Sequence, residues 1–140
     1  MGLGERLEAL GRELGERESS FAEDLGRARG RADELRADVA DALVRFHTAA
    51  GKAGAPHLVI DVSPVRVDDK HVRSCEFELS RGRHRAVVTV KSRGEVTLVG
   101  PFRAGKAEGP CRSFPLAASP EFESAFEAFL ASFIEDAATP

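Results

Sequence analysis

An apolar residue recurs every eleven positions through the first third of the chain, and this constrains the fold more than any other feature. Leu3, Leu14 and Leu25 stand eleven apart, as do Leu10, Phe21, Ala32 and Leu43, then Ala28 and Val39, then Leu35 and Phe46. At ~100° per residue these positions, with Leu7, fall in one narrow stripe that barely drifts. A period near ~3.67 residues belongs to a straight or slightly right-handed helix, not to a left-handed heptad coil. One continuous helix here is roughly 66 Å long at ~1.5 Å per residue. The rest of a 140-residue chain cannot cover that length, so part of the stripe is predicted to need another chain. Leu3, Leu7, Leu10, Leu14, Phe21 and Leu25 are the expected interface residues, and a two-fold homodimer is the commonest symmetry.

The helix has blemishes. Gly11, Gly15, Gly26 and Gly30 lie on one flank of the stripe, each costing ~1 kcal/mol relative to alanine. They read as tolerated weaknesses more readily than as a groove for a close helix. Ser20-Phe21-Ala22-Glu23 fits a capping box, which would allow a break at Ser19-Ser20. The stripe stays in phase across it, which favours one helix with at most a kink. Gly51, Gly54 and Pro56 end it.

Period two then takes over. Leu58, Ile60 and Val62 alternate, Pro64 interrupts, and Val65 and Val67 resume with shifted parity, as in a bulged edge strand. Asp68-Asp69-Lys70 makes a turn. Cys75, Phe77 and Leu79 share a face of the next strand, with Glu76 and Glu78 on the other. Ser80-Arg81-Gly82 and Ser92-Arg93-Gly94 mark two hairpin turns. Core parity sets Ala86, Val88 and Val90 against the Phe77 face, with Glu78 opposite Arg85 across a two-residue loop. A three-residue second loop sets Val90 against Val96, Val88 against Leu98 and Lys91 against Glu95. Glu78, Arg85, Thr89 and Thr97 are then expected on an exposed outer face.

Gly100-Pro101 is read as the end of the fourth strand, with a short fifth strand possible at Cys111–Phe114. Ser119-Pro120-Glu121 opens a helix as N-cap, first-position proline and first-turn acid. Its Phe122, Phe126, Phe129, Leu130 and Phe133 form a wide apolar face. The expected fold is α+β: a long N-terminal helix, a four- to five-stranded antiparallel meander, and a C-terminal amphipathic helix packed on the sheet. Residues 1–50 are the oligomerisation helix. Residues 57–140 form one compact domain together with the second half of that helix.

Net charge is −3, which points to neither nucleic acid nor membrane. Residues 57–115 carry +4 and residues 116–140 carry −5, so much of the asymmetry can be satisfied internally. Two cysteines make no disulfide framework and suit a reducing compartment. No signal peptide is visible, and no run approaches the roughly 20 apolar residues that span a bilayer. A cytoplasmic protein is expected.

Gly100 to Lys106 matches the G-x-x-x-x-G-K spacing of a phosphate-binding loop. Ala107 stands where magnesium needs a hydroxyl, and Gly109-Pro110 leaves no room for the following helix, so an NTPase is rejected. Arg103, Lys106 and Arg112 amid glycines are the best candidates for a small anion site, although a solvated connection near the acidic tail is the simpler account. His47, His57, His71 and His84 are dispersed, and no pair has zinc-ligand spacing. Cys75 sits at a core position, and Cys111 has no identifiable base. Arg81, Arg83, Arg85, Lys91 and Arg93 surround the hairpins, but pairing with glutamates and the lack of Trp and Tyr argue against a nucleic-acid footprint. No cofactor or metal is expected. The functional expectation is a non-enzymatic oligomeric interaction protein (adaptor, scaffold or chaperone-like) with itself and an unidentified protein as partners. The alternative is a small anion- or nucleic-acid-binding module using the basic hairpins and the 100–112 loop.

Overall fold

The computed structural model describes residues 2–68, 73–105 and 109–139. The eleven-residue stripe is realised as a single unbroken helix, α1 (Leu3–Lys52), with no break at Ser19-Ser20. Its interior is stitched by exposed i,i+4 pairs, Arg12–Glu8 at 3.5 Å and Arg17–Glu13 at 3.6 Å, each contributing a few tenths of a kcal/mol. Among the described residues, a Cβ added at Gly11, Gly15, Gly26 or Gly30 would meet nothing within 4 Å beyond the neighbouring helix backbone. They are therefore helix weaknesses, not packing devices, within one chain.

An edge strand in two pieces follows. β1 (Asp61–Val62) and β2 (Arg66–Asp68) both pair antiparallel with β3 (Ser74–Arg81). Asp61 lies opposite Ser80 and Arg66 opposite Glu76, a register offset of one residue across Pro64. This is the expected bulge. Ser63 closes it, donating its N–H to the Glu78 carbonyl and accepting the Glu78 N–H on its hydroxyl, both at 2.8 Å. From α1, the Arg36 Nε donates to the Ser63 carbonyl at 2.8 Å. The alternation beginning at Leu58 is strand only from Asp61 onward. Ile60 is buried anyway, its N–H donated to His47 Nε2 at 3.0 Å. The Asp69–Lys70 part of the expected turn lies outside the described residues.

β4 (His84–Lys91), β5 (Glu95–Arg103) and β6 (Cys111–Pro115) complete a sheet in the order β1/β2, β3, β4, β5, β6. The second hairpin has the expected register, with Val90 opposite Val96, Val88 opposite Leu98 and Lys91 opposite Glu95. The first needs correction. Its turn is Gly82-Arg83, so Glu78 lies opposite Val87, not Arg85. Parity is unaffected, because the shift is two residues. Arg85 still reaches Glu78 along the diagonal, Nε to carboxylate at 3.0 Å.

Nor does Gly100-Pro101 end the strand. β5 continues to Arg103 through a bulge, since Val87 faces Val99 but Arg85 faces Phe102. Gly100 adopts φ +117 there, and a Cβ would sit 3.1 Å from both the Ala86 Cα and the Arg85 carbonyl oxygen. A bulge also accommodates a proline that has no N–H to give the ladder.

α2 (Pro120–Ala138) starts as expected, with Ser119 Oγ accepting the Phe122 N–H at 3.1 Å. Both helices lie on one face of the sheet, α1 over β3 and β4, α2 over β4 and β5. Between them and the sheet lies the core: Ala28, Ala32, Leu35, Val39 and Leu43 of α1, Phe77, Val88, Val90 and Val96 of the sheet, and Phe122, Phe126, Phe129 and Phe133 of α2. The Phe122 and Phe126 rings stack at 5.2 Å, and Phe114 meets Phe122 edge-on at 5.5 Å. The opposite face carries no helix, yet it is not open. Glu78, Arg85 and Thr89 are half-buried and Thr97 is buried. Strands on both sides cover Thr97, and its hydroxyl is bonded to Ser113 Oγ at 2.9 Å.

Phe77 is fully buried, so Phe77→Ala should cost ~3–5 kcal/mol as a core truncation, while Thr89→Ala should change stability by under ~0.5 kcal/mol. A denaturant titration checks the pair, and equal sensitivity would contradict this register. Gly26→Ala and Gly30→Ala should each raise stability by up to ~1 kcal/mol, read as a higher thermal midpoint. Unchanged or lowered midpoints would mean that those positions are packed against something in solution.

Candidate interaction surface

The stripe of α1 is divided between two environments. From Ala28 to Leu43 it is buried under the chain's own sheet and second helix. Towards the N-terminus it runs out beyond them, and Leu3, Leu7, Leu10 and Leu14 are 74%, 57%, 47% and 44% exposed. Four leucines on one open helical face make an apolar strip that water penalises. Leu3, Leu7 and Leu10 line a shallow groove whose one wall is Arg6, Ala9 and Glu13.

Phe21 and Leu25 belong to a different environment, which corrects their expected place on the outward seam. Leu25 packs against the core. Phe21 is half-buried beneath Arg73, whose guanidinium carbon lies 4.5 Å from the ring centroid. The same guanidinium donates to both carboxylate oxygens of Glu18 at 3.0 Å. Among the described residues Glu18 is thus the first of α1 with a hydrogen bond to the rest of the chain, and Leu3 to Arg17 form the overhang.

Of the anion candidates, Arg103 and Arg112 are not drawn together. Arg112 pairs with Glu121 at 3.5 Å and lies 4.7 Å over the Phe114 ring. Arg103 stands at the far end of β5, opposite His84. Five residues of strand separate it from Leu98, the partner of Arg112, a distance of ~17 Å. Lys106 lies outside the described residues. The hairpin cations are largely engaged as well. Arg81 donates to the Ala137 carbonyl at 2.7 Å, Arg93 pairs with Glu95 at 2.7 Å, and Lys91 reaches the same carboxylate at 4.0 Å. His84 lies 3.3 Å from Asp136, and His71 is outside the described residues. Among the described residues no three His, Cys, Asp or Glu side chains converge as metal ligands, and no helix is long and apolar enough to cross a membrane.

Sequence reasoning missed one concavity. At the Gly100 end of the sheet, a mostly apolar groove runs between α2 and β5–β6, lined by Leu98, Pro101, Cys111, Ala125, Ala128 and Phe129. The signal was the small residues beside the phenylalanine stripe, where a larger side chain would have filled the gap.

Compared with known proteins, the chain matches no family model, no curated protein and no solved structure.

The two thiols differ in environment. Cys75 is buried and Cys111 exposed. Desolvation by burial pushes the Cys75 thiol above its usual pKa, against a pull downward from Arg29 and with a further push from Asp33. Its folded pKa therefore exceeds its unfolded one. The associated stability is present below the unfolded pKa and is lost as pH rises from there through the folded pKa. A thiol reagent at neutral pH should modify Cys111 in the native protein and Cys75 only after denaturation. Rapid labelling of both in native protein, read by mass spectrometry, would show that the core around Cys75 is not sealed.

Proposed function

We propose that this chain is a non-enzymatic interaction protein of the adaptor, scaffold or chaperone-like kind, which assembles with a second copy of itself through α1. One observation carries the reading: Leu3, Leu7, Leu10 and Leu14 continue the stripe that the body buries, and they are left 44% to 74% exposed. A helix face is built apolar where something covers it. Within the chain that cover is the sheet and α2. Along the overhang it would be the same face of another chain. Two free cysteines, one of them exposed, suit a reducing compartment such as the cytoplasm.

The interface is small. Each leucine contributes at most ~1.5–3 kcal/mol on full burial, and association costs ~4–15 kcal/mol. Preorganisation helps, because the overhang is continuous with a helix already anchored in the core, so little helix nucleation remains to be done on binding. The resulting assembly is expected to be reversible and concentration-dependent. The basic hairpins give less support to an anion- or nucleic-acid-binding reading, since the structure gives most of their cations carboxylate or carbonyl partners.

Leu7→Glu, Leu10→Glu and Leu14→Glu together should give monomers in sedimentation while the amide spectrum of the sheet stays dispersed. All three leucines are exposed in the single chain, so folding is not at stake. An unmodified protein that sediments as a monomer at tens of micromolar would remove the support for this reading.

A further inference from the structure

The body of the protein rises from the same face of α1 that carries the leucines. Phe21 continues the stripe and is capped by Arg73, and Ala28, Ala32 and Leu35 follow beneath the sheet. This settles which way two overhangs can run. Two chains paired in the same direction would bring each helix, from about Glu18 onward, into space filled by the other chain's body. Same-direction pairing would also place Arg17 against Arg17 of the second copy at the next seam position after Leu14. On the flank it would set Glu13 beside Glu18 of the second copy, a like-charge contact.

Opposite directions remove all three conflicts. We propose that two copies pair antiparallel about a two-fold axis crossing the helices between Leu7 and Leu10. Leu7 then packs on Leu10 of the second copy, and Leu3 on Leu14. This inference rests on the helix-mediated self-association proposed above and gives it an orientation and a register. On the flank that walls the leucine groove, Arg6 meets Glu13 of the second copy, and the two-fold axis repeats the pair. Both side chains line that groove, and both are available. Glu13 is held only by an exposed 3.6 Å pair with Arg17, and Arg6 forms no ion pair among the described residues. On the other flank Gly4 faces Gly11 of the second copy. A Cβ at either would meet nothing within 4 Å in the single chain, so that side is free for close backbone approach. The overlap of the two leucine runs ends at Leu14, a turn short of Glu18, where α1 meets the body among the described residues. At ~1.5 Å per residue, the two Leu35 positions then stand ~80 Å apart along the pair, one body at each end of a shared rod.

Cysteine cross-linking tests the orientation in a Cys111→Ser background, with Cys75 left buried. Leu3→Cys chains mixed with Leu14→Cys chains should form a disulfide-linked dimer under mild oxidation, and Leu14→Cys chains alone should not. Cross-linking of Leu14→Cys alone would mean parallel pairing and would overturn the proposal. So would a sedimenting dimer in which neither combination cross-links. A protein that never dimerises defeats the self-association reading itself, which sedimentation distinguishes from a wrong orientation. Charge substitution gives an independent sign. Arg6→Glu or Glu13→Arg alone should weaken the dimer about tenfold by turning two attractive flank pairs repulsive, and the double exchange should restore it. In a parallel pair Glu13→Arg would instead face Glu18 and tighten the dimer.

Discussion

The contact between the second half of α1 and the sheet holds the rest of the architecture in place. Ala28 and Ala32 are small enough to let the helix lie close to β3 and β4, and Leu35, Val39 and Leu43 then fill the space beside the phenylalanines of α2. A helix is a cooperative, hydrogen-bonded rod, so anchoring one half of it fixes the direction of the other. The overhang is therefore held out as an extension of the core. Its leucines are presented on a preformed helix, with little backbone entropy left to lose.

The same face of α1 lies in two environments. From Ala28 to Leu43 it is covered by the sheet and α2, and from Leu3 to Leu14 it is bare. The boundary is set by one surface interaction, Arg73 lying across Phe21 and holding Glu18. Such exposed contacts are individually weak, but this one sits where the apolar seam passes from intramolecular to open. It marks where the bare part of the helix begins.

Much of this was legible in the sequence, for identifiable reasons. The helix was, because a sustained period near 3.67 admits no other regular structure. The second hairpin was, because Lys91 with Glu95 and Val90 with Val96 demand the same register independently. The first hairpin came out two residues wrong, because parity cannot separate registers that differ by two. The charge pair used to decide between them, Glu78 with Arg85, forms across a diagonal that a long arginine can span. Gly100-Pro101 was misjudged because proline ends a ladder only where its missing N–H is needed, and a bulge needs none. Thr97 was misplaced because a face without a helix is not the same as a face in water. In a six-stranded sheet the neighbouring strands shelter the centre. For the candidate surface, the four leucines were readable as a seam. The fate of Phe21 and Leu25 was not, since it depends on where the sheet begins to cover the helix.

The bulge at Ser63-Pro64 bears on more than the local register. An unpaired strand edge is a template on which another chain can extend the sheet without limit. At one edge, β1 and β2 are short, offset by a residue and separated by Pro64, and Arg36 occupies the Ser63 carbonyl. At the other edge, β6 has five residues and ends in Pro115, with Pro110 just before it. Among the described residues neither edge offers a long run of free ladder groups to an incoming strand. Open-ended β-stacking is thus disfavoured at both margins of the sheet, and the bare face of α1 from Leu3 to Leu14 is an apolar surface that closes no such ladder.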